Sequence, residues 1–264
     1  MNHKQLLDHL AARPLAQAMI HDVSMLTSWI MLGPEPVPHQ DVQHEVLKYF
    51  FRRWNCVFKA SNDEVTAGYR DTAWVVAATT LHKYGFADRR CTERALSGID
   101  KLNKAVALSD YFFHHTEQAK ALLNSPPIPL KRRPPVSKTM TLCRAGDILS
   151  YKLDNHYYAF YVHQVEHGNT APLVELYDLK LDRPPTDSDI AGRRAVGGRY
   201  NDGIRRIEQY WVYGMCGNPD MANQFKLVAA NSSTPPTQQH IAPAVAGGAV
   251  IDIFRLQDEV DRSF

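Results

Sequence analysis

The segment Cys143–Lys180 reads CRAGDILSYKLDNHYYAFYVHQVEHGNTAPLVELYDLK, and it decides the fold of the second half of the chain. A β-strand is predicted to begin near Ile148, and Asp154-Asn155 is expected to form a turn because both residue types favour tight turns. A second strand, Tyr157–Val162, is dense in aromatic side chains, and a third strand is predicted at Leu173–Asp178. The pattern is typical of an antiparallel β-meander.

The second of these strands is expected to lie at the centre of its sheet. Successive side chains of a strand point to opposite faces. One face would carry Tyr157, Ala159 and Tyr161, and the other Tyr158, Phe160 and Val162. Aromatic side chains on a sheet can stack nucleic-acid bases, but basic residues are missing around them. Core packing or a protein interface is therefore the expected role.

The rest of the second half is predicted to be β-rich with long loops. Two further strands are predicted, Gln209–Met215 and Ala249–Arg255. The segments 184–189 and 218–243 favour loops with a single helical turn each. Gly197–Gly203 is rich in glycine but lacks the lysine of a phosphate-binding loop, so a flexible surface loop is expected.

The first half is predicted to be helical throughout. Apolar residues recur at helical spacing over Lys4–Ala12, over a second helix that begins near Pro14, and over Asp41–Lys59. The second helix is expected to stop at Gly33–Pro38. A fourth helix is predicted to be capped by Ser61 or Asn62 and to end at Tyr84-Gly85. Residues 88–124 would form one or two more helices, interrupted near Ser97-Gly98.

A proline-rich stretch separates the two halves. Ser125–Pro135 contains five prolines and cannot continue a helix. We therefore predict an α+β protein with three parts: a helical domain at 1–124, a Pro/Arg-rich linker at 125–138, and a mainly antiparallel β domain at 139–264. Lys131–Arg133 is interpreted as part of a solvated linker.

The charge distribution does not indicate a dedicated nucleic-acid binder. Residues 1–138 hold 18 Lys and Arg against 13 Asp and Glu, and residues 139–264 hold 12 against 15. The mildly acidic second half suits a basic partner.

Sequence motifs for enzymatic chemistry are missing. There is no Walker loop, dinucleotide fingerprint or nucleophile elbow. The four cysteines lie far apart and no histidine pair has helical metal-ligand spacing, so no metal or cofactor is expected. His163 and His167 are four residues apart, but in and just after a strand, and a structural or surface role is expected. The longest apolar run, Met25–Leu32, is too short to span a membrane, and a cytoplasmic location is expected.

Short motifs of the second half resemble the bacterial immunity-protein-26 family. They are Arg144–Ile148 before a strand, Leu153–Asn155, Tyr158–Phe160 and Val174–Asp178, and the resemblance covers about residues 140–215. Tyr161 stands where the family often has glycine, and the helical half has no counterpart in it.

The resemblance implies a protein that neutralises a cognate toxin. Members of that family are predicted antitoxins, encoded beside polymorphic toxins, so the expected partner is a secreted toxin or effector, with a nuclease as one candidate. Delivery of the toxin by a type VI or contact-dependent system is part of the same expectation. The alternatives are a small hydrolase with a dispersed active site and a nucleic-acid-binding adaptor that uses the basic linker.

The predicted partner-binding residues are Asp182, Asp187 and Asp189. They follow the third meander strand, and Pro184-Pro185 restricts the loop that carries them. A stiff loop loses less entropy on binding. Three carboxylates on one such loop would imitate phosphates in the basic cleft of a nuclease.

Overall fold

The computed structural model describes residues 1–32, 37–216, 219–244 and 247–264. It is an α+β protein with a helical N-terminal half and a β-rich C-terminal half, which confirms the predicted fold class. The chain divides into two compact units, Met1–Ser137 and Lys138–Phe264. The described helices include none that is long and apolar enough to cross a membrane.

The described residues of the helical unit form seven helices. Their bounds are α1 His3–His9, α2 Arg13–Ile30, α3 His39–Phe58, α4 Ala67–Lys83, α5 Arg89–Lys104, α6 Asp110–His114 and α7 Thr116–Asn124. Pro14 lies in the first turn of α2, as predicted. The predicted stop of α2 falls largely on residues 33–36, which are outside the described residues.

Helix α4 lies at the centre of the helical unit. It packs against α1, α2, α3, α5 and α7, and every residue from Ala73 to Leu81 is buried. A helix that is buried on all sides must be apolar all round or must satisfy its own polar groups. Thr79 does so by donating its hydroxyl to the carbonyl oxygen of Val75 at 2.7 Å.

Three predictions in the helical half need correction. Thr66 caps α4, not Ser61 or Asn62, because its side chain accepts from the Tyr69 amide. Helix α5 runs through Gly98 without a break, and the chain leaves the helix only after Lys104. Residues 88–124 form the three helices α5, α6 and α7, not one or two.

Gly98 is needed for close helix packing. A Cβ atom at this position would lie 3.0 Å from the backbone oxygen of Asp71 on α4. The glycine therefore brings α4 and α5 close together and does not end the helix. At the end of α4, by contrast, Gly85 has the left-handed φ of +86° that the predicted helix stop requires.

In the part of the β unit that the structure describes, six strands form the main sheet. The strands of the unit are β1 Ile148–Leu153, β2 His156–Val165, β3 Pro172–Leu176, β4 Gly198–Arg199, β5 Arg205–Arg206, β6 Gln209–Tyr213, β7 Phe225–Ala229 and β8 Ala249–Asp252. The order in the sheet is β7-β1-β2-β3-β6-β8, and all neighbours are antiparallel except β6 and β8. Strands β4 and β5 form a separate hairpin.

The meander is present and β2 is central, as predicted. β1 pairs with β2 across the turn at Asp154-Asn155, and β3 pairs with the other edge of β2. The residues from Tyr157 to Val162 are all buried, so both faces of β2 are covered. On one face, Ala159 and Tyr161 belong to a cluster of buried side chains. The other members are Ile148, Tyr177, Leu179 and Ile190.

The remaining β predictions are partly wrong. The segment predicted as loop-rich at 218–243 contains β7, which pairs with β1, and Gly197–Gly203 overlaps the β4–β5 hairpin. The last predicted strand ends at Asp252, and a ninth helix, α9 Arg255–Ser263, follows it. A short helix, α8 Asp187–Ile190, is the helical turn expected in the loop after β3.

Candidate partner-binding site

The segment that follows β3 and ends with α8, residues 177–190, is called the acidic loop, and it is anchored at both ends. Leu181 exchanges two backbone hydrogen bonds with Tyr157, of 2.7 and 2.9 Å, so the loop extends the edge of β2 for one residue pair. Leu179 near its start and Ile190 at its end belong to the buried cluster. Pro185 is also buried. The intervening residues are therefore held on a fixed base.

Asp189 organises this loop from within. Its two carboxylate oxygens accept from the Arg183 guanidinium at 2.7 and 2.8 Å, in a bidentate arrangement. It also accepts from the backbone amide of Thr186 at 2.9 Å and from the Thr186 hydroxyl at 2.6 Å, which completes the capping box of α8. The Arg183 guanidinium holds the pKa of Asp189 well below its usual range.

Asp182 and Asp187 face the solvent. The side chain of Asp182 is 91% exposed, and its Oδ1 lies 2.9 Å from Nδ1 of His156. Asp187 begins α8 and is exposed. Of the three predicted binding residues, two thus point outward, whereas Asp189 is engaged by its own loop. The two exposed carboxylates can accept hydrogen bonds from Lys or Arg side chains of another molecule and form ion pairs with them.

A second polar centre lies within the β unit around Glu175. This residue is 1% exposed. Its Oε2 is 2.7 Å from Nε2 of His163 on β2, and Nε2 of Gln238 lies 2.8 Å from both carboxylate oxygens. A buried carboxylate is tolerated only when such donors satisfy it.

The Glu175 centre fastens a long loop to the sheet. Besides Gln238, two more contacts hold the loop, since the hydroxyls of Tyr161 and Tyr177 donate to the carbonyl oxygens of Ser232 and Thr234 at 3.0 and 2.8 Å. Burial raises the pKa of the Tyr177 hydroxyl, so it remains a donor at neutral pH. The carboxylate is enclosed and engaged by its partners, which favours anchoring over catalysis.

The sequence prediction missed most of this centre. The sequence pattern predicts only a strand at Glu175 and only a loop at Gln238. The available signal was a carboxylate inside the otherwise apolar run Leu173–Leu176, because such a residue must have a partner. No signal pointed to Gln238, since its side chain meets Glu175 across 63 residues of chain.

Clusters that could hold a metal ion do not occur in the described part of the chain. Cys56 and Cys91 are buried, and Cys143 and Cys216 are half-buried; none of the four forms a disulfide with a described residue. Burial raises the pKa of the Cys91 thiol well above its usual value and also raises that of Cys143. Both groups are therefore held as thiols and are poor nucleophiles.

The comparisons with known proteins give no relative for this chain. No family model matches it, and neither the curated proteins nor the solved structures include a match. The class of the protein therefore rests on its α+β architecture and on the geometry of its sites.

Proposed function

We propose that this chain is an immunity protein that binds a cognate bacterial toxin in the cytoplasm and neutralises it by forming a stable complex, without catalysis. The observation that carries the proposal is the preorganised segment that follows β3 and ends with α8. Its ends are buried, its interior is fastened by the Arg183–Asp189 pair, and its exposed groups include the carboxylates of Asp182 and Asp187.

A rigid acidic loop suits a basic partner. Because the loop is already ordered, binding costs less conformational entropy than it would for a mobile segment. The acidic excess of residues 139–264 acts in the same direction and would accelerate encounter with a basic surface. The substrate cleft of a nuclease toxin is such a surface. A stable complex buries about 1,200–2,000 Å² in total, so this loop would form one part of the interface.

The immunity function is tested by co-expression with the products of the genes that flank this one. We expect one product to be toxic when expressed alone, to be harmless in the presence of this chain, and to co-elute with it in gel filtration. If the toxic product still kills cells that contain the folded chain, or if no flanking product is toxic, the proposal is wrong.

The role of the loop is tested with the double variant Asp182→Ala/Asp187→Ala. We expect association with the toxin to become at least tenfold slower at low salt and to lose most of its salt dependence, because steering by exposed charges acts on the association rate. The matched control is Asp8→Ala/Asp63→Ala, which removes the same charge from exposed positions of the helical unit. Equal rates for both double variants would place the interface elsewhere.

A further inference from the structure

A concave pocket of about 200 Å³ lies in the helical unit where α4 and α5 pack together. It belongs to the helical unit, whereas the acidic loop belongs to the β unit. Four of the side chains that line it are cationic, and they are Arg70, Arg90, Arg94 and Lys101. One lining side chain, Asp71, is acidic.

Three of the four cations lie on α5 and the fourth lies on α4. Arg90, Arg94 and Lys101 are separated by four and seven residues on α5, and this spacing keeps them on one face of the helix. Arg70 projects from α4. Gly98 allows the two helices to approach closely, since even a methyl group there would meet the backbone of Asp71.

The positive charge of the pocket is largely uncompensated. Asp71 lies 3.5 Å from Nζ of Lys101. Glu93, the acidic residue of the same stretch of α5, pairs with Arg89 at 2.7 Å. Neither Arg90 nor Arg94 makes an ion pair with any residue that the structure describes.

The guanidinium of Arg70 is held in a fixed position at the pocket. Its Nη2 donates to the carbonyl oxygen of Val65 at 3.0 Å and to Oδ1 of Asn62 at 3.2 Å, which fixes the guanidinium. Its Nε is buried and has no hydrogen-bond partner among the described residues.

The wall of the pocket is aromatic. The rings of Phe58 and Trp74 stack with their centroids 3.8 Å apart and their planes 13° from parallel, and both side chains are almost fully buried. These rings form an apolar wall, whereas Arg90, Arg94 and Lys101 at the rim are exposed to solvent and accessible to a ligand.

We propose that this pocket binds a small ligand through a phosphate group. A single carboxylate would neutralise one of the excess positive charges, whereas a phosphate monoester or a pyrophosphate carries two or more negative charges. Guanidinium groups also match phosphate oxygens in a bidentate manner. Pockets for drug-sized molecules have volumes of about 300–1,000 Å³. The volume of this pocket is smaller, so the bound part of the ligand is small.

Calorimetric titration of the full chain with inorganic pyrophosphate tests the proposal. We expect saturable binding at one site, with acetate as a negative control. The double variant Arg90→Ala/Arg94→Ala should bind at least tenfold more weakly. Arg89→Ala is the matched control, because Arg89 is an exposed arginine of the same helix that is paired with Glu93 outside the pocket, and it should bind as the parent does.

The outcomes separate the possible sources of the phosphate. Absence of saturable binding by the parent, or equal binding by the parent and the double variant, overturns the proposal, provided that thermal melting shows both proteins folded. A short single-stranded RNA is titrated in parallel. If the RNA binds more tightly than pyrophosphate and Arg89→Ala weakens it as much as Arg90→Ala/Arg94→Ala does, the cations form an extended nucleic-acid surface and the small-ligand pocket is refuted.

Discussion

Each unit of this protein buries a carboxylate, and the two units satisfy it in different ways. In the helical unit, Asp22 is 2% exposed and accepts from Nε of Arg53 and Nε1 of Trp54, both at 2.9 Å. In the β unit, Glu175 is 1% exposed and is engaged by His163 and Gln238. Asp22 thus has a permanent cation beside it, whereas Glu175 has an amide and an imidazole.

The difference reflects what each carboxylate holds together. Arg53 and Trp54 are neighbours on α3, so the Asp22 contacts fix one helix pair, α2 against α3. The partners of Glu175 come from β2 and from a loop far along the chain, so the centre fixes a loop to a sheet. Loss of Arg53 should therefore leave the buried charge of Asp22 without a counter-ion. Loss of the Glu175 contacts should instead release the loop that carries Gln238 from the sheet.

Arg53→Met should have the largest effect. It leaves the Asp22 carboxylate buried without its guanidinium, and removal of one member of a buried ion pair costs about 3–5 kcal/mol of unfolding free energy. Urea denaturation followed by tryptophan fluorescence measures the loss. Asp22→Asn/Arg53→Met is the control, because it removes both charges and keeps an oxygen for Trp54. We expect it to recover at least half of the loss, and no recovery would mean that packing by Arg53 dominates.

Glu175→Ala should have a smaller and more local effect. The donors of His163 and Gln238 lose their acceptor, at a cost of about 1–3 kcal/mol. The amide of Thr237, which donates to the carbonyl oxygen of Arg193 at 3.0 Å, should exchange hydrogen faster because the loop is released. Glu175→Gln keeps an acceptor oxygen and should lie between the parent and the alanine variant. Unchanged exchange at Thr237 in the alanine variant would show that Glu175 does not anchor the loop.

Asp252 extends the comparison to a buried carboxylate that has backbone partners. It accepts from the amides of Phe254 and Arg255 at 2.8 and 2.9 Å at the start of α9. Asp252→Ala should cost about 1 kcal/mol, because the two backbone amides lose their hydrogen-bond acceptor. Asp252→Asn should cost less, since it keeps the acceptor and removes a buried charge.

Burial raises the pKa of Asp252, so the contribution of this residue to the free energy of unfolding depends on pH. The folded protein favours the protonated carboxyl, so the contribution is fully present below the unfolded pKa near 3.8 and is lost as pH rises through the higher folded value. Thermal melting of the parent and of Asp252→Asn against pH checks the sign. A stability difference that grows in favour of the parent as pH rises would contradict it.

The smallest effect is expected at the surface, at Asp202. The hydrogen bonds from Arg206 lower its pKa to about 2. The ionised pair is favourable above the unfolded pKa near 3.8, and its contribution is lost as pH falls from there to about 2. Carboxyl NMR titration of Asp202 measures this value directly. In Arg206→Gln the pKa should return most of the way toward 3.8, with little change in melting temperature because the pair is exposed to solvent.

Local features of this molecule were predictable because their causes lie within a few residues. The Asp154-Asn155 turn needs only those residues, and Asp154 adopts the left-handed φ of +54° that aspartate tolerates. The same holds for Pro14 in the first turn of α2 and for Gly85 after α4. The buried state of β2 follows from apolar side chains on both of its faces.

Other features depend on residues that meet only after folding. Strand β7 is too weakly patterned to be recognised, and it becomes a strand because Leu227 pairs with Leu149 of β1. The aspartates of the acidic loop look equivalent in the sequence, yet Asp189 turns inward because Arg183 and Thr186 surround it.

The sequence by itself determined the two-part α+β organisation, the meander and the location of the acidic loop, since periodicity and turn chemistry are properties of neighbouring residues. The tertiary structure alone decided which carboxylates are buried or exposed, that α5 passes through Gly98, and that Arg70 joins the cations of α5 around one pocket. These depend on distances between residues far apart in the chain, and such distances are fixed only when the packed core brings the segments together.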